Sequence, residues 1–147
     1  MFDENVIADN YERFQQAFTS CYAKPMICYS IKTNCNLVIC RILRETGAFA
    51  EVGSELDLQV ALKAGFSGDN IIFDGLYKSE KTLRTALKAG VLLVNVESLT
   101  ERERINKISE ELGMVQAVGV RLNPRALNHR RRFSSVRKID KVPKSAV

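Results

Sequence analysis

Short apolar, β-rich runs recur along this chain at nearly constant spacing, and that period constrains the fold more than any other feature. The runs occupy residues 26–31, 48–52, 70–73, 91–96 and 115–122, with starts 22, 22, 21 and 24 residues apart. Between them the apolar positions switch to helical spacing. Leu58, Ala61, Leu62 and Gly65 follow i, i+3, i+4, i+7, as do Leu83, Ala86, Leu87 and Gly90. Ile105, Ile108 and Leu112 continue the pattern. The sequence itself repeats, since Ala61-Leu62-Lys63-Ala64-Gly65 returns as Ala86-Leu87-Lys88-Ala89-Gly90.

The punctuation fits the period. Gly47, Gly65, Gly90 and Gly113 stand where helices should stop. Asn36, Ser54, Ser79 and Ser98 stand where helices should start, and Ser54 with Asp57 and Ser98 with Glu101 have capping-box spacing. An amphipathic helix with Ile7, Tyr11, Phe14 and Phe18 on one face precedes the repeat. Strands alternating with helices of about ten residues imply an α/β fold with a parallel sheet. Four full units and a fifth strand admit two architectures. One is a five-stranded doubly wound sheet; the other is the first part of a (β/α)8 TIM barrel, which typically needs at least about 200 residues. Short loops at constant spacing favour the barrel, and a chain of 147 residues favours the open sheet.

Charge divides the chain into 1–124, a domain, and 125–147, a basic irregular tail. The first carries a net charge of −2 and the second +7, so the net charge of +5 belongs to the tail. A slightly acidic body makes nucleic acid an unlikely partner for the main domain. The Arg-rich tail leaves open a polyanion-binding role. No apolar run is long enough to cross a bilayer, and the acidic N-terminus does not read as an export signal, so a cytoplasmic location is expected. Four cysteines without C-x-x-C spacing, and a single histidine at 129, point to no metal site. The cysteines are expected to be reduced, mostly buried thiols.

In either architecture ligands bind at the C-terminal ends of the strands. There stand Lys32, Glu51, Asp74, Glu97 and Arg121. Lys32 is the least ordinary. Partial burial at the end of an apolar strand would favour its neutral amine, the requirement for a lysine that attacks a carbonyl. Arg121, in an apolar strand, needs an anion or another hydrogen-bonding partner. Glycine-rich phosphate turns of the Rossmann or P-loop type do not occur, and one histidine in the tail rules out a Ser-His-Asp arrangement.

Tyr29-Ser30-Ile31-Lys32-Thr33-Asn34 resembles the lysine motif of the pyridoxal phosphate (PLP)-dependent decarboxylases with an alanine-racemase-like barrel. These include diaminopimelate, ornithine and arginine decarboxylases. Gly47-Ala48-Phe49-Ala50-Glu51-Val52-Gly53-Ser54, Ile71-Ile72-Phe73-Asp74-Gly75-Leu76-Tyr77-Lys78-Ser79, Val94-Asn95-Val96-Glu97-Ser98 and Val120-Arg121-Leu122-Asn123-Pro124 resemble that family's next four strand ends, in order. The resemblance is to the diaminopimelate branch above the others. It implies a partial (β/α)8 barrel of about five parallel strands and four to five helices. Lys32 would carry PLP by a Schiff base, with Glu51 and Arg121 beside the cofactor. Asp57 matches an acidic position of the family, but its capping box accounts for it. Decarboxylation of a (di)amino acid such as diaminopimelate, ornithine, lysine or arginine is implied. So is a homodimer, or a second chain that completes the barrel. The family's later phosphate-binding glycine loops and C-terminal β-domain find no counterpart here, since the last glycine is Gly119, so an incomplete and weakly active or inactive part is expected. The competing functional readings are an alanine racemase-like or PLP-carrier protein and a non-catalytic remnant.

Overall fold

The computed structural model describes residues 2–122 and 135–141. Five strands, β1 (Cys28–Ser30), β2 (Phe49–Val52), β3 (Ile71–Phe73), β4 (Leu93–Val96) and β5 (Ala117–Leu122), lie in chain order, each parallel to the next. Helix α1 (Glu4–Thr19) precedes them. Helices α2 (Leu37–Glu45), α3 (Glu55–Ala64), α4 (Glu80–Lys88) and α5 (Leu99–Glu111) connect successive strands. Strand partners are 21 residues apart across the first three pairs and 24 across the fourth, so the sequence period is the register of the sheet.

Strand order decides between the two architectures. A doubly wound sheet reverses its order at a switch point and carries helices on both faces. Here neighbours are consecutive throughout. One core joins alternate residues of the strands (Ala50, Val52, Phe73, Val94) to the inner faces of helices α3 to α5. Helices on one face of a sequentially ordered parallel sheet are consecutive units of a (β/α)8 barrel.

The local signals act where expected. Asn36, Ser54, Ser79 and Ser98 cap the four connecting helices through their side chains. The four stop glycines have φ between 65° and 93°, the left-handed region that ends a helix. Helix α1 departs from expectation on one face. Tyr11 is buried against Ile39, Leu43 and Ala48, but Phe14 and Phe18 are exposed and pack on each other with ring centroids 4.9 Å apart. The cysteines also depart from expectation. Cys40 is buried and Cys28 half-buried, while Cys21 and Cys35 are exposed.

The segment read as irregular contains a sixth strand, β6 (Ser135–Lys141), antiparallel to β5. The register shifts by one residue between Gly119 and Arg121. Such a bulge interrupts the two-residue alternation by which a strand is recognised in sequence. β6 also covers the edge of β5, one of two edges that five barrel strands would leave open. Residues 123–134 and 142–147, with the arginine run, lie outside the described residues. Among the described residues, no helix is long and apolar enough to cross a membrane.

Candidate active site

Residues of opposite parity to the core positions turn to the other face of the sheet, the interior of the barrel. Ser30 pairs in register with Glu51, Glu51 with Ile72, and Asn95 with Gly119. Asp74 and Glu97 follow directly on β3 and β4, and Arg121 lies in β5. Glu51, Asp74, Asn95, Glu97 and Arg121 therefore gather at one end of one face.

Lys32 follows β1 at the same end of the sheet, on a 3-10 turn (Ile31–Thr33). Ile31 is fully buried and anchors the turn, whereas Lys32 is exposed. The far side of the turn is pinned as well. The Tyr29 hydroxyl donates to the Asn34 carbonyl at 3.0 Å, and the Asn34 side chain accepts from the Asn36 N–H at 3.0 Å. The partial burial expected of Lys32 is thus absent. The strand end presents its amine to solvent, on a backbone fixed at both sides.

Arg121 does have the partner its position demands. Its Nη1 donates to Glu97 Oε1 at 2.9 Å and lies 3.8 Å from Asp74 Oδ1. The Glu97 hydrogen bond holds the guanidinium above its ordinary, already high pKa, against the opposing effect of desolvation, with weaker help from Asp74 and Glu51. The structure thus brings Glu51 and Arg121 into one electrostatic neighbourhood. Glu51 also reaches Cys28, whose thiol is pushed up first by burial and then by the Glu51 charge.

The floor of the site is polar and incompletely satisfied. Ser30 Oγ, Asp74 Oδ1 and Asn95 Oδ1 are buried without a hydrogen bond. Asn95 is only 4% exposed. Buried polar atoms without partners are rare and mark strain or a missing partner. An exposed amine and a guanidinium at the strand ends suit an anionic carbonyl compound such as pyridoxal phosphate, while the acceptor oxygens Asp74 Oδ1 and Asn95 Oδ1 call for a donor group.

Asp57 behaves as a cap. Its Oδ2 accepts from the Gly53 N–H at 3.1 Å, and its own N–H is bound by Ser54 Oγ at 3.1 Å. Glu101 does the same for α5 but has a second task that capping spacing did not reveal. It pairs with Lys78 at 3.1 Å. Lys78 is 1% exposed, and nothing local in the sequence marks it as buried, because its partner lies 23 residues on. Tyr77, beside it, is 81% exposed on the loop between β3 and α4.

Comparison with known proteins gives one family. Residues 5–142 match the pyridoxal binding domain of the pyridoxal-dependent decarboxylases. Diaminopimelate decarboxylase of Aquifex aeolicus is 34% identical over 84% of this chain and 29% of its own. That of Helicobacter pylori strain J99 is 36% identical over 84% of this chain and 30% of its own. The crystal structure of diaminopimelate decarboxylase from Helicobacter pylori complexed with L-lysine superposes with a TM-score of 0.78. It is 35% identical and covers 84% of this chain and 31% of that one. The chain therefore spans about 30% of the length of the curated relatives it matches.

Proposed function

Because this chain belongs to the pyridoxal-dependent decarboxylases, through their pyridoxal binding domain, we propose that it holds pyridoxal phosphate on Lys32 and serves decarboxylation of diaminopimelate or a related diamino acid. One observation carries the reading. Lys32 is an exposed amine on a turn anchored by Ile31 and Asn34, and it follows β1 at the same end of the parallel sheet as Glu51, Asp74, Glu97 and Arg121. When bound, pyridoxal phosphate supplies an electron sink for the pair left behind when carbon dioxide departs.

The chain's own residues divide the remaining work. Lys32 supplies the amine that attaches the cofactor and takes or returns a proton at Nζ. Arg121 presents a fixed positive charge, kept in place by Glu97 and Asp74. Glu51 adds a carboxylate on the neighbouring strand, where it raises the local negative potential that the two cations offset. The ends of β1 to β5 cover part of a barrel mouth.

The test is a visible absorption titration of the purified chain with pyridoxal phosphate, beside Lys32→Ala. A saturable band lost in the variant supports the reading. An equal band in both proteins, or none above that of a free amine, overturns it.

A further inference from the structure

Lys78 is the most deeply buried charged group among the described residues, and the proposed chemistry does not use it. Its Nζ donates to the Gly75 carbonyl at 2.6 Å and to Glu101 Oε1 at 3.1 Å. It lies 5.8 Å from the centre of the Phe73 ring. The other oxygen of the same carboxylate, Glu101 Oε2, accepts from the Glu97 N–H at 2.9 Å.

One buried ion pair therefore spans two loops. On one side it grips the backbone next to Asp74; on the other it grips the backbone of Glu97. Those are the two carboxylates that flank Arg121. The β3 loop is pressed further into place. Asp74 N–H donates to the Val52 carbonyl at 2.8 Å, and a side chain at Gly75 would collide with the Gly53 carbonyl. Arg104 closes the arrangement with Nη1 3.4 Å from the Lys78 carbonyl.

We propose that Lys78 is a positioning residue for Arg121: through Glu101 it locks the two loops whose carboxylates hold the guanidinium. Lys78 is not a second nucleophile. The Lys78 Nζ is fully enclosed and spends its donors on a carbonyl and a carboxylate, so it has no route to a carbonyl compound at the mouth. A well-packed apolar pair would fill the same space at equal or greater stability. Such a pair would not bind the Gly75 carbonyl and aim a carboxylate at the Glu97 N–H together. The geometry therefore answers to position rather than to packing.

The inference rests on the proposed function only in giving Arg121 a ligand, so its test uses no cofactor. The full chain, labelled with nitrogen-15, is followed by NMR as wild type, Lys78→Met and the pair Lys78→Met with Glu101→Gln. The measured quantity is solvent exchange of the Arg121 Nη1 protons, the ones that face Glu97 and Asp74, relative to the amide of Leu58, whose buried side chain sits in the core. Both variants should accelerate Arg121 exchange by about tenfold over Leu58 exchange. An unchanged ratio would show a structural role alone and overturn the proposal. Should Lys78→Met fail to fold, the double variant decides, since it leaves no buried charge uncompensated. Failure of pyridoxal phosphate to bind the wild type would strike the proposed function and leave this ratio readable.

Discussion

Two lysines stand at strand ends on the same rim and have opposite fates. Lys32, after β1, is exposed on a rigid turn with no ion pair among the described residues. Lys78, after β3, is 1% exposed and bound to Gly75 and Glu101. The difference separates two ways a fold can use a cation. Burial with an ion pair consumes the amine's donors and converts it into a strut. Exposure on a fixed backbone leaves the amine free and makes its reactivity depend on what the site later encloses. If Lys32 is the lysine that reacts, as proposed, burial in the bare chain does not mark the reactive amine, and the hydrogen-bonded turn beneath Lys32 is the feature that sets it apart.

The comparison breaks most visibly at its two centres. Lys32→Ala should abolish the pyridoxal phosphate absorption band while leaving the unfolding midpoint of the chain where it was, because an exposed side chain away from special backbone contributes within about 0.5 kcal/mol. Lys78→Met should do the reverse to stability. Removing one partner of a buried pair strands the other charge, at a cost of about 3–5 kcal/mol. Urea denaturation of the two variants side by side measures the contrast. Equal midpoints would mean that the Lys78–Glu101 pair is not buried in solution.

Next in size is Gly75→Ala. A Cβ there meets the Gly53 carbonyl oxygen, a backbone atom that cannot turn aside. The β3 loop must move, at a cost of about 1–3 kcal/mol, the usual range for overpacking. Because Asp74 is the preceding residue, the same displacement should weaken pyridoxal phosphate binding if Arg121 takes part in it. Loss of stability with unchanged affinity, measured by urea titration and absorbance, would separate the loop from the site.

How much of this was legible in sequence follows from the range of the interactions. The repeat, the helix caps and the stop glycines are local signals within a few residues, and the structure carries them through. The choice of barrel over open sheet was not local. It depends on strand order, which spacing alone leaves undetermined and the family resemblance supplied. Lys32, Glu51 and Arg121 can be proposed from sequence because they sit at or just past strand ends, where this architecture binds its ligands. Lys78 was not, because its burial depends on Glu101, whose capping spacing already explained it. Glu97 was seen at its strand end but not as the partner of Arg121, since that pairing joins β4 to β5 across 24 residues. The strand Ser135–Lys141 escaped because a shifted register erases the alternation that identifies a strand.

The smallest effect sharpens the comparison within the β1 side. Cys28 and Cys35 bracket Lys32 in sequence, and the inner one is half-buried beside Glu51 while the outer one is exposed. Alkylation proceeds through the thiolate, so a raised pKa lowers the reactive fraction at any pH below it. Burial raises Cys28, and the Glu51 charge raises it further; burial raises Cys40 as well, with Cys35 adding to it. Near pH 8, iodoacetamide should therefore label Cys21 and Cys35 at least about tenfold faster than Cys28 and Cys40, as read by peptide mass spectrometry over time. Glu51→Gln removes the charge but not the burial, and burial is the larger cause. It should speed Cys28 by no more than about threefold and leave Cys40 unchanged. If Cys28 labels as fast as Cys35, the inner face of β1 is open to solvent and Lys32 has no floor beneath it.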